Sequence, residues 1–189
     1  MEIAIIVILG VILIWAYSVY VGVIRKRNKV QEAYSGVDVQ LKKRHDLIPN
    51  MLTVAKKFMK HEKELMNEIT ELRTKAVKTE HAKDAKGIKK ALQTEQDLSS
   101  KLGAFMVNVE NYPQLKSDTT MVNAQKSLQD VEEHIAASRR FYNSAARQLN
   151  DTVQIFPMSL IASMVKVEAY PYFETADEEK ANPDAAALL

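Results

Sequence analysis

Hydrophobic and polar positions along this chain change rhythm once, near residue 25. From Ile3 to Ile24 there is no charged side chain, an apolar run of 22 residues closed by Arg25-Lys26-Arg27. As a helix that run is about 33 Å long, enough to cross a hydrocarbon core of roughly 30 Å. Beyond it the apolar positions recur with a helical period. One stripe runs Tyr34, Leu41, Ile48, Ala55, Glu62, Ile69, Ala76, and a neighbouring one Val37, Arg44, Met51, Phe58, Leu65, Leu72. With Leu52, Met59 and Met66 they form a wide apolar face of the kind a bundle helix presents. Pro49 removes a hydrogen bond and disfavours helix before it, yet the register is unchanged across it. The pattern therefore predicts one long helix kinked at Pro49, with two helices meeting there as the alternative.

From Thr74 to Gly87 the pattern lapses into a polar link or frayed helix end. A second helix follows on Ile88, Ala91, Glu95, Leu98, Leu102, Phe105, Val109 and Tyr112, and stops at Tyr112-Pro113. Ser117-Asp118-Thr119 offers an N-cap for a third, whose stripe is Leu128, Ile135, Tyr142, Leu149, Phe156. Pro157 ends or kinks it, and Met158 to Met164 is apolar enough for a short further helix. The expected fold class is all-α: an N-terminal transmembrane helix followed by an antiparallel helical bundle of four helices. The expected divisions are an anchor over 3–24, a bundle over 25–173 and an acidic flexible tail over 174–189. Within the bundle's end, Tyr170-Pro171-Tyr172-Phe173 should still pack.

Composition narrows the picture. Five glycines and five prolines are too few for a turn-rich β fold, and there is no cysteine for disulfides, thiolate metal sites or a thiol nucleophile. A net charge of +2 gives no reason to expect nucleic acid. Its distribution is uneven: eleven Lys and Arg between Arg25 and Lys63 face four acids, whereas the end of the chain is acidic. A cleaved signal peptide would want a basic start and a small-x-small site; here Glu2 opens a full-length run and no such site follows, so a retained anchor is expected. Arg25, Lys26, Arg27 and Lys29 follow the run and nothing basic precedes it. The positive-inside rule then expects a single-pass protein of the cell membrane, its N-terminus outside and its helical domain cytoplasmic. The same four side chains are the candidates for contact with anionic lipid headgroups. Trp15, Tyr17 and Tyr20 lie in the second half of the run, where aromatic belts form.

Candidate chemistry is sparse. His45, His61, His81 and His134 form no His-Glu-x-x-His motif and no pair at metal spacing, and chance placement is the better reading of them. Glu132-Glu133-His134 lacks the paired Glu-x-x-His motifs of bundle metal sites, and there is no phosphate loop or nucleophile signature. No cofactor, metal or catalytic residue is expected, hence no enzyme. Charges on apolar stripes are more informative. Arg44 and Glu62 fall on the core face of the first long helix, and Glu132 and Arg139 beside the stripe of the third. In one straight helix Arg44 and Glu62 would be about 27 Å apart, too far to pair. Arg44, Asp46, Glu62, Glu132, Arg139 and Arg140 are therefore expected in a polar network between helices or between subunits.

With these residues in view the chain resembles the LemA family of bacterial membrane proteins. The resemblance rests on Leu41-Lys42-Lys43-Arg44-His45-Asp46-Leu47-Ile48-Pro49-Asn50, on His61-Glu62, on Glu110-Asn111-Tyr112-Pro113-Gln114-Leu115, on Glu132, Ile135, Arg139, Arg140, Tyr142, Asn143 and Asn150, and on Phe156-Pro157 and Phe173-Glu174. Two departures are Lys43, where an arginine is common, and an end from Asn182 to Leu189 without an apolar closing segment. The resemblance implies an anchor with a small outer N-terminus and a soluble helical bundle. It also implies two associations, with the forming of magnetosome membranes by a relative and with a membrane metalloprotease as neighbour. Two functions are thus expected to compete. One is a self-associating, non-enzymatic scaffold that organises or shapes the membrane, with the bilayer and further copies of itself as partners. The other is an adaptor or regulator of a membrane protease or envelope stress system.

Overall fold

A computed structural model describes residues 1–173, and among them there are six helices and no strand. The expected tail, residues 174–189, lies outside the described residues. Helix α1 spans Glu2–Ala55, α2 Lys63–Lys78, α3 Ala85–Glu110, α4 Pro113–Lys116, α5 Thr119–Gln154 and α6 Met158–Met164. Helices α1, α2, α3 and α5 form an up-down-up-down bundle. The hydrogen bonds from α1 set these directions. Arg44 meets Glu132 and Lys26 meets Thr152, so α5 runs antiparallel to α1. Gln31 meets Lys83 and Arg44 meets Glu95, so α3 runs parallel to it.

The first helix differs from expectation in where it breaks. It continues through Pro49 and ends at Ala55, and the chain then reverses over Lys56–Glu62 into α2. Proline at 49 cannot donate to the His45 carbonyl, four residues earlier. That oxygen instead accepts from Arg73 Nε on α2 at 2.6 Å, so the helix survives its missing donor. The reversal was hidden because its connection, Lys56–Glu62, is one heptad long and leaves the count of the stripe intact. Met59, buried in the turn, seats it against the core. The one long helix expected from Tyr34 to Ala76 is thus two antiparallel ones, and these supply two of the bundle's four.

Later boundaries follow local chemistry. Asp84 caps α3, its Oδ1 accepting from Gly87 N, and any Cβ at Gly87 would lie 2.7 Å from that oxygen. Asp118 caps α5 by accepting from Thr120 N and Met121 N at 2.9 and 3.1 Å. Pro113 opens the single turn α4, and Phe156-Pro157, a cis bond, separates α5 from α6.

Buried residues fall into two apolar clusters. One lies nearer the N-terminal run and is built from Val23, Val30, Tyr34, Val37, Leu41, Ile88, Ile135, Tyr142 and Leu149, with alanines between them. The other, farther away, holds Ile48, Met51, Met59, Met66, Ile69, Leu98, Phe105, Leu115 and Met121. Val23 is fully buried, so the core begins within the last turn of the apolar run. The division expected at residue 25 is crossed by one continuous helix.

Candidate functional site

A polar layer separates the two clusters. On α1 Arg44 and His45 lie between Leu41 and Ile48; on α3 Glu95 lies between Ala91 and Leu98; on α5 Glu132 lies between Leu128 and Ile135. Helical period puts each of these side chains on the core face of its own helix, and packing of α3 and α5 against α1 brings them level. Arg44 is the largest fully buried side chain, at 0% exposure. One of its terminal nitrogens, Nη2, donates to Glu95 Oε2 and the other, Nη1, to Glu132 Oε1 at 3.0 Å and Ser99 Oγ at 2.8 Å. His45 lies between two carboxylates, 3.0 Å from Glu80 through Nδ1 and 2.9 Å from Glu95 through Nε2. A neutral imidazole donates from one nitrogen only, so two carboxylate acceptors call for the imidazolium.

The charges tune one another. Burial pulls His45 toward neutrality, but its bonds to Glu95 and Glu80 outweigh this and raise its pKa above the ordinary value. Burial likewise pushes Glu95 up, and the His45 bond together with the Arg44 charge overcomes it, leaving the carboxyl below the usual range. Asp38, about two turns before the layer on α1, is dominated by burial and raised, although it accepts the His81 backbone N–H at 2.9 Å. That bond ties down the loop at His81, whose φ of 64° is in the left-handed region.

The sequence-expected network is only partly assembled here. Arg44 and Glu132 meet. Asp46 and Arg140 are exposed on the surface. Glu62 lies at the far end of the bundle, where its Oε1 accepts from Tyr112 Oη at 2.6 Å. Arg139 stacks its guanidinium 5.0 Å from the Phe173 ring centre. Because Arg44 is engaged within one chain, it does not call for a second subunit. His45, expected as a chance placement, is instead buried and bonded to two carboxylates. The legible signal was Glu95, a carboxylate on the apolar stripe of its helix that needed a buried cation.

The second assembly is an extended strap, residues 167–173, laid on α5. Asn150 donates to the Tyr170 carbonyl and accepts from its N–H, at 2.9 and 2.8 Å. Asn143, two turns away on the same face, does the same for Phe173, both at 2.9 Å. Tyr142 Oη donates to the Pro171 carbonyl and Tyr170 Oη to the Lys83 carbonyl, so the expected packing of Tyr170 and Phe173 is observed. These asparagines offer the strap what a neighbouring β-strand would. A solvent-open groove of about 1560 Å³ runs between α3, α5 and the strap, bordered by Lys86, Lys89, Arg139 and Arg140.

At the base, Arg25, Arg27 and Lys29 are exposed, while Lys26 turns inward and donates to Thr152 Oγ1 on α5. Helix α1 is long and apolar enough to cross a membrane, and the apolar stretch from Ile3 to Ile14 is uncovered by the rest of the chain. Among the described residues no three His, Asp or Glu side chains converge as a metal site.

The class defined by these features is a helical bundle carried on a candidate transmembrane helix, with a polar layer and an asparagine-held strap. The LemA family model matches residues 33–186, and the chain belongs to that family. It is 24% identical over 176 residues to Protein LemA of Metamycoplasma hominis, covering 91% of this chain and 78% of that one. It is also 31% identical over 91 residues to Magnetosome protein MamQ 2 of Paramagnetospirillum magneticum and 32% over 72 residues to Magnetosome protein MamQ of Magnetospirillum gryphiswaldense. Those matches cover 48% and 38% of this chain but only 34% and 26% of the magnetosome proteins.

Proposed function

We propose that this chain is a membrane-anchored, non-enzymatic scaffold whose bundle self-associates and organises the bilayer beside it. The observation that carries this reading is the continuity of α1. One helix runs from the uncovered apolar stretch into the buried positions Val23, Val30 and Val37, with no loop between. A bundle joined in this way cannot swivel freely on its anchor, so any orientation it adopts is transmitted to the membrane. Exposed Arg25, Arg27 and Lys29 support a cytoplasmic bundle and contact with anionic headgroups. Copies can meet through the anchor and through the bundle flank, where Phe141 is 75% exposed. The partial likeness to proteins named for the magnetosome points the same way. The mass of the full-length protein in lipid nanodiscs or mild detergent tests the reading: a discrete assembly of several copies is expected, and a single copy in both would overturn it.

The groove between α3 and α5 favours a second reading, an adaptor for a membrane protease or envelope stress system. Its charged rim, with Lys86, Lys89, Arg139 and Arg140 against Asp97 and Glu168, and its open length suit a segment of another protein better than a small ligand. Site-directed crosslinking in cells from Arg140 should then capture one larger membrane partner, and bands of this chain alone would favour the scaffold.

A further inference from the structure

The end of the bundle nearest the anchor carries an apolar surface that the fold leaves uncovered. After α5 the chain turns through Ile155 and Phe156 into α6, a single apolar helix with serines at 159 and 163. Ala162 faces inward and is fully buried, but Phe156 is 78%, Leu160 58% and Met164 73% exposed. Leu160 and Met164, four apart, share one side of α6, and Phe156 is exposed in the turn that leads into it. Their height is set by the pairing of α5 with α1. Arg44 is level with Glu132, Tyr34 with Tyr142 and Lys26 with Thr152, so each step forward on α5 is a step back toward the N-terminus on α1. Ile155 and Phe156 come a turn after Thr152 and are therefore level with Gly22 and Val23, inside the apolar run that ends at Ile24. Exposed Tyr20 lies just below and exposed Arg25 and Arg27 just above, with exposed Lys166 following α6.

We infer that α6 is a second membrane contact: Phe156, Leu160 and Met164 insert into the boundary between headgroups and acyl chains of the leaflet that α1 leaves, beneath an anionic headgroup layer held by Arg25, Arg27 and Lys166. The inference rests on the anchor reading of α1. It names the lipid surface as the occupant because the patch is continuous in height with the run that enters the membrane, and because basic side chains border it on the water side. An amphipathic segment in this position sinks roughly 5–10 Å into the interface. With the crossing helix it gives the bundle a second fixed point and so defines its tilt, as a single span cannot.

The absence of cysteine allows a clean test in the full chain. Single variants Leu160→Cys, Met164→Cys, Phe141→Cys and Leu9→Cys carry a polarity-sensitive fluorophore. Each is reconstituted in vesicles of phosphatidylcholine and phosphatidylglycerol, with and without lipid spin-labelled near the top of its acyl chain or near its end. Expected is a blue-shifted emission at 160 and 164 that the shallow label quenches, none at 141, and quenching at 9 by the deep label. If 160 and 164 behave like 141 while 9 is quenched, the α6 inference fails and the anchor stands. Emission at 160 that is blue-shifted but unquenched means protein covers the patch, and also overturns it. If 9 is unquenched the anchor reading fails and this inference with it.

Discussion

The two apolar clusters of this bundle are held in different ways. The far cluster is a four-helix core in which α1, α2, α3 and α5 all take part, filled by leucine, isoleucine, phenylalanine and four buried methionines. Methionine adapts to irregular gaps, so this half depends on volume more than on specific contacts. The near cluster lies beyond the reach of α2, a helix of 16 residues that ends level with His45. Its place is taken by the short α6, a loop and a strap, and the loop and strap supply no helical hydrogen-bond ladder of their own. Asn143, Asn150, Tyr142 and Asp38 make up the deficit by bonding directly to loop and strap backbone. Where a core lacks regular neighbours, side chains have to satisfy the backbone that covers it. Between the halves the Arg44 layer serves both.

Breaking that layer should have the largest effect. Arg44→Met leaves Glu95 buried with only His45 as its cation, and removing one partner of a buried pair costs about 3–5 kcal/mol. Urea denaturation should show that loss, with the two halves melting separately if the layer is what couples them. Adding Glu95→Met should recover much of it, since an apolar pair of similar volume is tolerated where a lone charge is not. Failure of the double variant to recover would mean that His45 and Glu80 need Glu95 more than Arg44 does.

Asn150→Ala sharpens the contrast in the near half. It strips both backbone partners from Tyr170, and an unsatisfied buried group costs about 1–3 kcal/mol. Hydrogen exchange should quicken in residues 167–173 and stay unchanged around Met66 and Phe105. An equal response in both regions would contradict the division.

The layer should also make stability depend on pH. His45 has a folded pKa above its ordinary 6.5, so its contribution is complete below 6.5 and is lost as pH rises through the folded value. Glu95 is the opposite case: its contribution is present above the ordinary 4.5 and is lost as pH falls through a lower folded value. Around His45 the facing charges are Glu80, Glu95 and Arg44, and around Glu95 they are His45, Arg44 and, farther off, Asp38. Together they favour mild acid, between 4.5 and 6.5, and His45→Gln should flatten the alkaline side of the profile. A profile unchanged by that substitution would show that the imidazolium adds nothing. The smallest effect is expected on the surface of the far half, where Lys101 and Glu68 are both over 40% exposed; Lys101→Ala should cost about 0.5 kcal/mol or less.

Much of this architecture could be read without coordinates. The uncharged run, the stripe of α3, that of α5 from Leu128 to Leu149, the Asp118 cap, the stop at Tyr112-Pro113 and the short helix at Met158–Met164 are local signals and fall where their patterns indicate. Phe156, expected on the α5 stripe, instead lies exposed beyond the helix end because Pro157 stops the helix first. Arg44 and Glu132 also announced themselves, as charges on stripes that would otherwise be apolar. Periodicity reports only which face of a helix a residue occupies, not which way the chain runs. The one-heptad turn after Ala55 therefore reads as continuous helix in the pattern, and the structure places two of the bundle's four helices where the pattern shows one.

Partners across the layer were decided by tertiary structure. His45, Glu80, Glu95 and Ser99 are separated in sequence by up to 54 residues and meet because antiparallel and parallel neighbours bring them level. The strap is settled in the same way, since an extended segment has no period to read and its place depends on two asparagines two turns apart on one face of α5. Local sequence determines what a segment must bury. Which segment buries it depends on chain reversals and heights along the bundle, and those arise only when the helices pack.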